Sequence, residues 1–121
     1  MSQSEFPMWR RLHFGASSVV ALIGALHVGV APFLYRHWAP DAVWFVGTGL
    51  GLLFIGLLNL AQLQAGPAWD HTARITRWTN YAFAIFGIAA VVAVPKAEAV
   101  ALLSGLILEA LASHWTLPGP V

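Results

Sequence analysis

The chain has 121 residues, 59% of them hydrophobic and only 9% charged, and six Lys+Arg against five Asp+Glu leave a net charge of +1. An ordinary soluble domain carries about a quarter of its residues as charges, so this composition excludes a water-soluble globule, and equally intrinsic disorder and a nucleic-acid footprint. With no cysteine in the sequence, disulfides, thiolate chemistry, cysteine-ligated zinc and iron–sulfur clusters are excluded too.

About 20 consecutive apolar residues make one helical crossing of a bilayer. Four stretches have that character, at about 12–34, 43–63, 78–94 and 97–113. The expected fold is all-α: an integral membrane four-helix bundle, up-down-up-down, in one transmembrane domain over 1–121. A proline lies just upstream of each span, Pro7, Pro40, Pro67 and Pro95, the residue favoured where a helix begins and its missing N–H has no partner to lose.

The first span follows Arg10-Arg11, a pattern shared with export signals. The only candidate cleavage site, Gly29-Val30-Ala31, would leave Pro32 directly after the cut, so a retained helix is expected, with Pro32 bending or ending its last turn. The second span opens on Asp41, the third helix begins near Asp70, and the fourth opens on Glu98, each acid meeting the positive end of a helix dipole. Asp70 and Arg74 are spaced as a weak surface pair. Gly66 marks the end of the second helix, and Pro118-Gly119-Pro120 ends the fourth.

Basic residues set orientation. Arg10, Arg11, Arg74 and Arg77 lie on one side, Arg36 and Lys96 on the other, which predicts a bacterial inner-membrane protein with both termini cytoplasmic. Trp9, Trp69, Trp78 and Trp115 would mark the inner interface, and Tyr35, Trp38 and Trp44 the outer. A faint internal repeat relates Gly24–Pro32 to Gly87–Pro95 and Gly51-Leu52-Leu53 to Gly105-Leu106-Ile107.

In lipid no hydrophobic effect drives helices together, so small and polar residues mark the contact faces. Every third or fourth position gives His13, Ser17, Val20, Gly24, His27 and Ala31 on the first helix, and Trp44, Thr48, Gly51, Ile55, Asn59 and Gln62 on the second. The third offers Asn80, Ala84, Gly87 and Val91, the fourth Glu98, Ala101, Gly105 and Glu109. Helix packing is thus assigned to Gly24, Gly47, Gly51, Gly87 and Gly105. Gly47 and Gly51 form a Gly-x-x-x-Gly spacing that serves either internal packing or a homodimer face.

Depth and face together place His13, Asn59, Asn80 and Glu109 at one level near the cytoplasmic boundary. An ionisable group inside a membrane costs roughly 3 kcal/mol or more on insertion scales, so each is a candidate site residue. The group would bind a proton, a cation or a polar headgroup, or else hydrogen-bond internally and hold the helices in register. His27 is the one histidine well inside a span, within reach of Thr48 or a backbone carbonyl. Two axial histidines for haem would need a second one at matched depth. His13, His37, His71 and His114 all fall at ends or in loops, so no haem and no metal site is expected. No nucleophile elbow, phosphate loop, nucleotide fingerprint or metalloprotease motif occurs.

In length and span count the chain resembles the small multidrug-resistance exporters. They depend on a buried carboxylate in the first helix, where this chain offers His27 and no acid. The expected function is a non-enzymatic structural or accessory membrane component, partnered by the lipid bilayer and by a second copy or a larger membrane complex. The alternatives are a small proton-linked transporter or ligand-binding bundle, with Glu109 titrating and Asn59, Asn80 and His27 lining the path, and, more weakly, a haem or quinone carrier through His27.

Overall fold

The computed structural model describes residues 6–65 and 70–117, with side chains from Met8 onward. It is all-helical: α1 (Phe6–Leu34), α2 (Pro40–Ala65), α3 (Asp70–Ala93) and α4 (Ala97–Thr116). Each helix is long and apolar enough to cross a membrane. The helices overrun the apolar stretches at their polar ends, α1 through Arg10 and Arg11 and α3 through Asp70–Arg77, because intrahelical hydrogen bonding does not stop where hydropathy falls. Pro40 is the first residue of α2, and Asp41, Asp70 and Glu98 each lie in a first turn. Pro32 falls inside α1, two residues before its end. Gly66, Pro67, Trp69 and Pro118-Gly119-Pro120 lie outside the described residues.

The four helices form a ring. α1 packs most extensively against α2 and then α4, α3 packs against α4, and the seam between α2 and α3 is the narrowest. Val20, Leu52, Ile55, Leu102 and Leu106 form the apolar centre, with Ile23, Leu58 and Phe83 against it. The distribution of polarity is inverted relative to a soluble bundle. Phe33, Val92, Ile85 and Phe54 are among the many large apolar side chains facing outward, whereas His13, Ser17, Asn59, Gln62, Thr76, Arg77, Asn80, Glu109 and Ser113 are buried.

The tightest contacts are made by glycine. A Cβ on Gly24 would strike the backbone nitrogen of Leu53 and come within 2.6 Å of the Gly49 carbonyl; one on Gly56 would lie 2.6 Å from the Ala21 nitrogen, and one on Gly49 2.7 Å from His27 Cβ. Along this seam α1 and α2 touch main chain to main chain. Gly87 meets Leu103 (3.0 Å), Gly51 meets Phe83 (3.4 Å) and Gly105 meets Val20 (3.5 Å), all from the built Cβ position. Nothing lies within 4 Å of Gly47. The small residues at the α1–α2 contact are therefore Gly49 and Gly56.

Burying Gly49 and Gly56 turns α2 relative to the expected stripe. Trp44, expected on the inner face, is 77% exposed. The buried face of α2 is Ala42, Gly49, Leu52, Ile55, Gly56, Asn59 and Gln62. On α4 the first turn, with Glu98 and Ala101, is exposed, and the buried face begins at Leu102. On α1 the expected stripe is buried except for His27, which is half-buried.

Candidate functional site

A layer of buried polar side chains crosses the bundle near the N-terminal end of α1. Asn59 on α2 is its hub. Its Nδ2 donates to the Ile55 carbonyl (2.9 Å) and to Asn80 Oδ1 on α3 (2.7 Å), and Asn80 Nδ2 donates back to Asn59 Oδ1 (2.8 Å). A main-chain carbonyl can only accept, so the bond to Ile55 fixes which end of the Asn59 amide carries nitrogen. Asn59 Oδ1 then faces His13 Nε2 at 2.7 Å. That oxygen can only accept, so Nε2 of His13 carries a proton.

The other ring nitrogen, Nδ1, lies 2.5 Å from the Thr116 hydroxyl on α4, and that hydroxyl is 2.9 Å from the Ala112 carbonyl. Thr116 has one proton for two acceptors. If it goes to His13, the imidazole is neutral; if it goes to Ala112, Nδ1 must be protonated and the ring is a cation. The chain Thr116–His13–Asn59–Asn80 takes one residue from each of the four helices.

Glu109 lies on α4 with Ser113 and Thr116, at four- and three-residue spacing. It is 1% exposed, and neither carboxyl oxygen has a hydrogen-bond partner among the described residues. The wholly buried Ser17, one turn from His13 on α1, lies against it. The two do not meet in good hydrogen-bonding geometry, and the Ser17 hydroxyl is likewise unpartnered. A buried carboxyl that accepts no well-formed hydrogen bond is costly as an anion.

The remaining expected residues lie elsewhere. His27 is fourteen residues beyond His13 on α1, about 21 Å along the helix. Its Nδ1 pairs with the Ile23 carbonyl (3.1 Å), and its ring stacks on Phe45 with centroids 4.6 Å apart. Thr48 donates to the Trp44 carbonyl of its own helix (2.9 Å). The structure thus joins His13, Asn59 and Asn80, sets Glu109 beside them through Ser17, and leaves His27 and Thr48 outside the layer. Among the described residues no group of three or more His, Asp or Glu is placed to hold a metal ion.

Two contributors escaped the sequence argument. Arg77, expected as a solvated loop cation, is 7% exposed, and its Nη2 donates to the Leu117 carbonyl at the end of α4 (2.7 Å). The signal was its position three residues before Asn80, on the same helical face. Thr116 was discoverable in the same way, seven residues after Glu109. Comparison with family models, with curated proteins and with solved structures gives no match.

Proposed function

We propose that the chain is a four-span membrane protein acting as a non-enzymatic structural or accessory component, its polar layer locking the helices in one register. The carrying observation is the hydrogen-bonded chain Thr116–His13–Asn59–Asn80, which engages every helix and satisfies its own amides. A membrane setting is supported by four apolar helices and by a surface of large apolar side chains over a polar interior. An up-down-up-down course is supported by contacts that run in opposite senses along each successive pair: His13–Asn59 and His27–Phe45 for α1 and α2, Asn59–Asn80 and Gly51–Phe83 for α2 and α3, and Tyr81–His114 and Gly87–Leu103 for α3 and α4. The excess of Arg10, Arg11, Arg74 and Arg77 at one end favours cytoplasmic termini in a bacterial inner membrane.

The connections at 35–39 and 94–96 are short, and the partner in this reading is another membrane helix, from a second copy or a larger complex. Purification of the full chain in mild detergent is the test. A stoichiometric partner or a dimer is expected, and a clean monomer overturns the accessory role. No resident cofactor is part of the proposal, and a Soret band in that preparation would contradict it.

One observation favours a second reading, a proton-linked transporter or ligand-binding bundle: the wholly buried Glu109, whose oxygens accept no hydrogen bond among the described residues. In reconstituted vesicles Glu109→Gln is then expected to abolish proton-linked uptake, and unchanged uptake removes Glu109 from transport.

A further inference from the structure

Where the N-terminal part of α1 crosses the C-terminal part of α2, an open groove of about 490 Å³ is lined by Phe14, Leu60 and Leu63 and by Arg10, Arg11 and Gln64. Apolar wall and cationic rim are thus adjoining. Phe14 is 57% exposed and both arginines face outward. Arg10 Nη2 donates to the Leu63 carbonyl (3.2 Å), which ties its guanidinium to the α2 side of the groove instead of leaving it to swing free. No carboxylate among the described residues pairs with either arginine. Trp9 and Trp115, stacked with centroids 6.2 Å apart at this end of the bundle, are the amphipathic rings that favour the headgroup level.

We infer that this groove holds one anionic glycerophospholipid, its phosphate between Arg10 and Arg11 and an acyl chain along Phe14 and Leu60. The inference rests on the membrane setting proposed above. Guanidinium matches a phosphate in geometry and charge, and Gln64 supplies a neutral donor and acceptor for the glycerol backbone. Two cations over one phosphate also discriminate among lipids. A choline lipid has the same phosphate, but its own quaternary ammonium would stand against the second arginine. An anionic headgroup meets no such opposition.

The test uses the purified full chain in an uncharged detergent, with bound lipid read by native mass spectrometry. Phosphatidylglycerol and phosphatidylcholine of identical chain length are offered together. Phosphatidylglycerol retention is expected to exceed phosphatidylcholine by about twenty-five-fold, about fivefold for each arginine. The double variant Arg10→Gln/Arg11→Gln should bring the two lipids to parity, with its helix content unchanged by circular dichroism. Arg36→Gln/Lys96→Gln, at the other end of the bundle, removes the same charge and should keep the preference. Equal retention of the two lipids by the natural chain overturns the site, as does loss of preference in the Arg36/Lys96 variant. Displacement of the lipid by millimolar inorganic phosphate would assign the arginines to a free anion and overturns it too. A chain that stays dissolved and monomeric without detergent overturns the membrane setting itself, and the lipid site falls with it.

Discussion

The two halves of the α1–α2 contact are held by different means. Toward Gly24, Gly49 and Gly56 the helices touch main chain to main chain, with no room for a single added carbon. Toward His13 and Asn59 they are joined by hydrogen bonds between long polar side chains. In the proposed membrane setting both substitute for the hydrophobic effect, which gives helices no reason to associate within hydrocarbon. The glycine half works by dispersion over a close surface and tolerates no increase in volume. The polar half tolerates volume but not the loss of a donor or acceptor.

That difference is broken most severely at the glycines. Gly56→Val should cost more than about 3 kcal/mol, since its side chain would enter the Ala21 main chain, a worse case than ordinary overpacking. Gly47→Ala, with open space around it, should instead gain about 0.5–1 kcal/mol from helix propensity. Thermal melting in one detergent compares the two directly, and equal effects would erase the distinction. Next in size is Asn59→Leu, which strands His13 Nε2–H and the Asn80 amide and should cost about 2 kcal/mol. Reversible unfolding in mixed micelles measures it, and a double-mutant cycle with Asn80→Leu should return a coupling of about 1 kcal/mol.

Glu109→Leu sharpens the comparison from the other side. If the carboxyl is only a buried, unpartnered group, an apolar replacement of similar size should stabilise the bundle by about 1 kcal/mol. Destabilisation would mean that the carboxyl is held by something bound. The smallest effect belongs to Thr48→Val. Its side chain hydrogen-bonds within its own helix, so a change within about 0.5 kcal/mol is expected in the same melting assay.

Much of this was legible in the chain. The number of long apolar helices follows from hydropathy alone, and the inner face of α1 follows from spacing, because its small and polar residues occupy one stripe. α2 was harder for a definite reason. It carries glycines on two faces, Gly47 and Gly51 on one and Gly49 and Gly56 on the other, and spacing does not say which meets a neighbour. Only the approach of α1 decides it, and Trp44 turns outward as a result. Asn59, Asn80, His13 and Glu109 stood out because polar side chains are rare in such a sequence. Arg77 did not, because an arginine near a helix start is ordinarily solvated. Its acceptor, the Leu117 carbonyl, is forty residues away and is supplied only by the folded bundle.

The α2–α3 seam is the least extensive in the ring, and Asn59 and Asn80 clasp each other across it through two reciprocal amide bonds. Parting these helices would therefore cost little dispersion energy but leave two amides without each other as partners. The ring is thus thinnest where its paired amides sit, and loosening that clasp weakens the seam with the least packing to hold it.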